Sequence, residues 1–344
     1  AAGRENNHMS EQKFYTIAVD AMGGDNVPTD PVEGAVLAAR AGGVRILLVG
    51  DQNAVQAELA KHDATELPIQ VVPSDGVVRE GEHPAMALRR NPKVSVAVTV
   101  GLVKAGKADA AVSMGSTGAT MAASVLALGL FPGLDRPTLG GPFIGLAPRT
   151  TIIDLGANVD CKPAQLVDFG ALGAAFAAWY FQLKRPRIGL LSVGSEQGKG
   201  NKQAQEAYGL LAASGLNFVG NIEGHEVFAD KADVLVCDGF VGNVLLKYTE
   251  GLAHAAAHYL SEALGPQSKA VQQIEGLANA AEGAGGPLLG INGVVLAGHG
   301  RSKGPAIAGA IKLAAQVTEG GLVERMRTEL AAARSQAGTE VAGA

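Results

Sequence analysis

Residues Asp109–Leu130, DAAVSMGSTGATMAASVLALGL, constrain what this chain can fold into more than any other stretch. Ala110–Val112 is short, apolar and follows a Gly/Lys turn, as a strand buried on both faces of a parallel sheet does. Ser113-Met-Gly-Ser-Thr-Gly118 is too rich in glycine and hydroxyls to extend it. Ala119–Leu130 then spaces its apolar residues as a helix does. A strand feeding a helix through such a turn aims backbone N–H groups, and the positive end of the helix dipole, into one crevice. That geometry suits an anion, phosphate above all. It does not by itself name a reaction.

The same alternation runs through the chain. Strands are expected at Tyr15–Val19, Arg45–Val49, Ile69–Val72, Thr151–Leu155, Arg187–Ser192, Asn217–Val219, Val234–Cys237 and Gly293–Ala297. Helices are expected at Pro31–Ala41, Gln52–Lys61, Pro84–Arg90, Val94–Lys104, Pro163–Leu183, Lys202–Ser214, Gly242–Leu264 and Pro305–Thr318. Asp30 reads as the N-cap of the first helix, with Pro31 at its first position. The order predicts a three-layer α/β/α domain with a large, mostly parallel or mixed sheet. One domain is expected over residues 13–330, with a loose, flexible segment at 265–290 and a mobile tail at 331–344. Residues 1–9 (AAGRENNHM) read as an expression-tag remnant outside the fold.

Composition narrows the function. A net charge of −5 argues against a nucleic-acid binder driven by phosphate electrostatics, and 4% aromatics argue against a base-stacking platform. The two cysteines, Cys161 and Cys237, form no CxxC pair, which points to a reducing cytoplasm without a disulfide framework or zinc site. The longest apolar runs fall short of the roughly 20 residues a membrane span needs, and no signal sequence is expected.

Ligands of such sheets sit beyond the carboxyl ends of the strands. There the sequence places Asp20-Ala-Met-Gly23-Gly24-Asp25, the turn Ser113, Gly115, Ser116, Thr117 and Gly118, then Asn158, then Lys199 with Asn201, then Asp238 with Asn243, then His299. Together they predict a polar, glycine-lined crevice. Gly194–Asn201 is not a P-loop: three residues separate its glycines where four are needed, and Gly200 replaces the magnesium-binding hydroxyl. Ala111-Val-Ser113-Met-Gly115 imitates a nucleophile elbow, with Asp238 and His299 following in α/β-hydrolase order. A serine hydrolase or thioesterase is therefore the alternative reading. His254 and His258 are four apart on a helix but lack the Glu of a zinc motif, and read as surface residues. Arg89-Arg90 reads as a solvated helix end.

The segments Asp20–Asp25, Glu33-Gly34, Ser113–Ala119, Asp154-Leu-Gly-Ala-Asn-Val-Asp-Cys-Lys-Pro163, Gly198-Lys-Gly-Asn201, Gly220–Gly224, Cys237-Asp-Gly-Phe-Val-Gly-Asn243 and His299-Gly300 resemble, in order, the bacterial phosphate acyltransferase family. The resemblance implies formation of acyl-phosphate from acyl-[acyl-carrier-protein] and inorganic phosphate for phospholipid synthesis. It implies a fold like the isocitrate and isopropylmalate dehydrogenases, a homodimer, and a cytoplasmic enzyme on the inner face of the membrane. Its partners would be acyl carrier protein and a downstream glycerol-3-phosphate acyltransferase, with neither metal nor organic cofactor. Lys199, Asn201, His299 and Asp238 are then the expected catalytic groups. The binding set is Asp20, Gly23, Gly24, Asp25, Ser113, Gly115, Ser116, Thr117, Gly118, Asn158 and Asn243. A non-catalytic acyl-carrier or lipid-binding module on the same fold is the third reading.

Overall fold

Eleven strands form one sheet in a computed structural model that describes residues 14–79, 81–143, 149–283 and 285–341. They are β1 (Tyr15–Asp20), β2 (Val44–Gly50), β3 (Ile69–Pro73), β4 (Ala110–Ser113), β5 (Thr138–Pro142), β6 (Thr151–Ile153), β7 (Ile188–Ser192), β8 (Phe218–Glu223), β9 (Val234–Val236), β10 (Gly286–Leu289) and β11 (Val294–Ala297). The spatial order is β3-β2-β1-β4-β11-β10-β5-β6-β9-β7-β8. The first five and the last four are each parallel blocks, joined by β10 and β5 running antiparallel to both neighbours. The blocks therefore point in opposite directions. Even so, Thr117 and His299, which follow β4 and β11, and Gly156, which follows β6, line one cavity.

Helices cover both faces: α1 (Thr29–Ala41), α2 (Gln52–Leu59), α3 (Pro84–Arg90), α4 (Ser95–Lys104), α5 (Thr117–Leu128), α6 (Pro163–Tyr180), α7 (Lys202–Ala213), α8 (Gly239–Leu264), α9 (Lys269–Gly283), α10 (Gly304–Glu319) and α11 (Leu322–Val341). Alternate strand residues feed opposite cores, as a period of two requires. Val294 and Leu296 pack with α10 and α6 on one face, while Val295 packs with α4 and α5 on the other. Helix α6 is apolar around most of its circumference and has Phe169, Leu172 and Phe176 at its buried centre, the pattern of a helix inside a core.

The expected α/β/α architecture with a mixed sheet is what the chain adopts. Two strands escape the periodicity argument. β5 (TLGGP) and β10 (GPLL) carry glycines because the join is tight. A Cβ at Gly140 would collide with the Ile153 side chain, and one at Gly286 would lie 2.6 Å from the Gly140 carbonyl oxygen. The stretch read as loose, 265–290, contains α9 and β10, and α11 runs into the stretch read as a tail. There Arg334 Nε and Nη2 donate to the Asp168 carboxylate on α6, both at 2.8 Å. Asp30 does not cap α1. The helix begins at Thr29, and the Asp30 carboxylate is buried in its first turn against Lys303 Nζ at 3.1 Å.

Candidate active site

On the first block, three βα turns interlock. The Asp25 N–H donates to the Gly300 carbonyl at 2.8 Å, and the Gly298 N–H to the Ser113 carbonyl at 3.0 Å. Asp20, at the end of β1, accepts from Ser113 Oγ at 2.8 Å and from the Met22 N–H at 3.1 Å. Ser113 Oγ in turn accepts from the Gly115 N–H at 3.2 Å. Gly23 is required here, since its Cβ would lie 2.7 Å from both Asp20 Oδ2 and the Gly115 nitrogen. Burial raises the Asp20 carboxyl above its ordinary range, against hydrogen bonds from Ser95, Ser113, Met22 and Gly23 that favour the charged form.

These turns floor a polar cavity of about 610 Å³ that also receives Gly24, Asp25, Ser116, Thr117 and His299. The first turn of α5 opens onto it. Its N-cap, Ser116, makes no side-chain capping bond, so the first N–H groups are not claimed by their own cap. Gly118 lies on the exposed side of that turn, outside the cavity lining. The wall also includes Ser95, which bonds Asp20, and Arg79, on the loop before α3, neither of which the sequence marks as a site residue. A lone arginine in an irregular loop carries no local signal. The arginine pair that did draw notice serves elsewhere, Arg90 pairing with Glu82 at 2.6 Å.

Thr117, Gly298 and His299 also line a smaller cavity of about 180 Å³, whose far wall carries Gly156 and Asn243 of the second block. The start of α8 is set by close approach. Asp238 caps it, its Oδ1 accepting the Val241 N–H at 2.8 Å, and the Gly239 N–H donates to the Asn158 carbonyl at 2.7 Å. Beyond lies an apolar groove of about 460 Å³ between α7 and α8, with Leu190, Val193, Val241, Val244 and Tyr248 in its walls and Asn201 and Asp238 at its polar end. Asn201 Oδ1 caps α7 through the Ala204 N–H at 2.8 Å. Lys199 is exposed on the loop after β7 and makes no ion pair among the described residues. Of the expected site residues, Asn243 joins those of the large cavity through the smaller one, Asn201 and Asp238 line the groove, which shares no lining residue with either, and three line none of them. Gly118 and Lys199 are exposed, each next in the chain to a lining residue. Asn158 is wholly buried, donating to the Pro137 carbonyl at 2.8 Å and to Asp154 Oδ2 at 2.7 Å.

No serine triad forms. The Ser113 hydroxyl is bonded to Asp20, Asp238 is spent on capping α8, and a different carboxylate, Glu250, stands beside His299, with Nε2 to Oε1 at 3.9 Å. Nor is a cysteine primed to attack. Burial, aided by the charges of Asp154 and Asp238, pushes the Cys161 thiol up to about 12 and raises Cys237 further. Ser113→Ala is therefore expected to lower thermal stability while keeping turnover within about tenfold of wild type, because it removes one partner of a buried carboxyl and no nucleophile. Complete loss of turnover in a folded variant would restore a nucleophilic Ser113.

The sequence model of the fatty acid synthesis protein family matches residues 15–325. Phosphate acyltransferase from Pelotomaculum thermopropionicum is 43% identical over 324 residues, spanning 91% of this chain and 94% of that one. The enzyme of the same name from Geobacter sulfurreducens is 42% identical over 334 residues, spanning 93% and 96%. Among solved structures, the EutD phosphotransacetylase of Staphylococcus aureus matches with a TM-score of 0.58 at 18% identity, over 88% of this chain and 94% of that one. A phosphotransacetylase of Streptococcus pyogenes matches with a TM-score of 0.56 at 19% identity, over 89% and 94%. At those identities the structural likeness shows a shared fold. The sequence matches, spanning nearly the whole chain, show more: this chain belongs to the phosphate acyltransferase family.

Proposed function

We propose that the protein transfers an acyl group from an acyl carrier protein thioester to inorganic phosphate, yielding acyl-phosphate and the free carrier thiol. One observation carries this reading beyond family membership. An anion cradle at the α5 N-terminus meets, at Thr117 and His299, a smaller cavity walled by Asn243 of α8, and the other face of α8 walls an apolar groove. The groove falls within the about 300–1,000 Å³ typical of small-ligand sites. Each methylene buried in it contributes about 0.8 kcal/mol.

Phosphate binds to the first-turn N–H groups of α5, the Ser116 and Thr117 hydroxyls and the Arg79 guanidinium, over a floor built by Asp20, Gly23, Gly24, Asp25, Ser113 and Gly115. One of its oxygens forms the new O–C bond as the thioester C–S bond breaks, so phosphate itself is the nucleophile. Lys199, Asn201 and Asn243, on the opposite lip, stabilise the carbonyl oxygen as it gains charge. His299 delivers a proton to the departing sulfur, and Asp238 holds α8 in place. Positioning and electrostatics supply most of the acceleration. Carrier thiol release should saturate with phosphate and be negligible without it. Phosphate-independent release blocked by a fluorophosphonate would instead support the hydrolase.

The same reading includes a homodimer, docked peripherally on the inner face of the cell membrane, that passes its labile product to a glycerol-3-phosphate acyltransferase. No helix among the described residues is long and apolar enough to cross a membrane. Helix α8 instead offers an apolar exterior: Phe240, Val244, Tyr248 and Leu252 follow one another at four-residue spacing, each at least 52% exposed. Tyr259 and Leu264 are exposed nearer its end. Two such ends on one side of a dimer gain avidity. Replacing Tyr259 and Leu264 together by Glu should abolish flotation with anionic liposomes and spare activity on soluble acyl carrier thioester. Unchanged flotation would rule out this end of α8 as the anchor.

A further inference from the structure

Glu250 is a buried carboxylate beside His299 that the reaction scheme leaves without a task. It lies on α8, 3% exposed. Its Oε2 accepts from Lys247 Nζ, one turn earlier, at 2.8 Å. Its Oε1 is buried and accepts no hydrogen bond among the described residues. A buried acceptor left without a donor is destabilising, and more so if it is charged. An apolar residue at this position would avoid that cost, so the carboxylate calls for an explanation. His299 Nε2 stands 3.9 Å from the orphaned oxygen. That is too long for a hydrogen bond, yet short enough for a small ring rotation to close.

We propose that Glu250 is a positioning residue for His299, which rests on the reading that His299 serves the acyl transfer. Glu250 Oε1 accepts the Nε2–H of the imidazole in the working complex. This fixes the tautomer and leaves Nδ1 for the reacting groups. The protonated ring gives its Nδ1 proton to the carrier sulfur as the C–S bond breaks and returns to the neutral Nε2–H form. Hydrogen phosphate loses its own proton in becoming acyl-phosphate, and that proton restores the ring, so the cycle balances. The Glu250 carboxylate compensates the imidazolium while it lasts. Lys247, on its other oxygen, keeps the carboxylate from turning away. Sequence order had offered Asp238 as the carboxylate partner of His299. The geometry gives that place to Glu250, which is 49 residues from His299 in the chain and carries no motif.

The test is a double-mutant cycle in the intact protein, with purified acyl carrier thioester and phosphate. His299→Ala should lower kcat about 100-fold, the scale of losing a general acid. Glu250→Gln, nearly isosteric, should lower kcat at least about tenfold with little change in the KM for phosphate, because it acts on the transition state through another group. In the His299→Ala background the same change should cost less than about twofold. Glu250→Asp, its carboxylate drawn back by one methylene, should fall between Gln and wild type. It also carries the cycle if the Gln variant fails to fold. A wild-type rate in Glu250→Gln or Glu250→Asp overturns the proposal, as does a full Glu250 effect persisting without His299. If His299→Ala itself turns over like wild type, the role given to His299 fails and the proposal goes with it. A slow His299→Ala beside an additive Glu250→Gln sinks the Glu250 assignment alone.

Discussion

Lys199→Ala is expected to lower kcat at least about 100-fold, the scale of losing one preorganised donor to a developing oxyanion. The lysine stands between Gly198 and Gly200 on the loop that leaves β7, and its backbone N–H is tied to the Glu196 carbonyl at 3.0 Å. A Cβ at Gly194 would lie 2.8 Å from Lys199 Cγ, so that glycine lets the lysine stem lie across the loop. Thermal stability should be unchanged, because the ammonium is exposed and makes no ion pair among the described residues. Arginine should restore little, since its planar fork cannot replace a compact ammonium in the same space. Wild-type turnover in the folded alanine variant would remove Lys199 from the site.

The second large effect is structural and reaches the site through one helix. Gly242→Ala should destabilise the protein by about 3 kcal/mol, the upper range for overpacking a close contact. The added methyl would collide with the Asp154 carbonyl and lie 3.1 Å from Cys237 Sγ. Neither neighbour can yield cheaply. Asp154 is held by the N–H groups of Gly156 and Ala157 at 3.0 and 2.9 Å, and Cys237 is buried. The start of α8 must lift, carrying Asn243 away from Gly156. Differential scanning calorimetry should therefore show a lowered Tm, and assays a loss of turnover in the surviving folded fraction. A wild-type Tm would mean that α8 does not sit on the 154–158 loop as described.

Sequence reasoning found what burial on both faces makes visible. Runs such as Val234–Cys237 and Gly293–Ala297 announce parallel strands because nothing polar interrupts them. The polar residues that follow them mark the crevice for the same reason. It missed β5 and β10, where a glycine is kept for close approach and so contributes no apolar signal. It missed α9 and α11, whose polar compositions look like loose chain until partners such as Asp168 are seen. Within the site, types and positions were legible but duties were not. Asn201, Asp238 and Asn158 are polar residues at strand ends, as a ligand site needs, yet their hydrogen bonds go to helix caps, backbone and, for Asn158, the Asp154 carboxylate. Arg79 reaches the cavity, and Glu250 the side of His299, only through folding, one from an irregular loop and one from the body of a helix. The reaction itself was legible only through the family resemblance. A glycine-lined anion cradle serves many chemistries.

If phosphate attacks the thioester directly, phosphorus NMR of the protein with long-chain acyl carrier thioester and inorganic phosphate will show a new acyl-phosphate resonance. The resonance should grow in step with carrier thiol release and vanish on adding hydroxylamine, with the acyl group recovered as hydroxamate. Release of free fatty acid at the same rate with and without phosphate, and no new phosphorus resonance, would contradict direct attack.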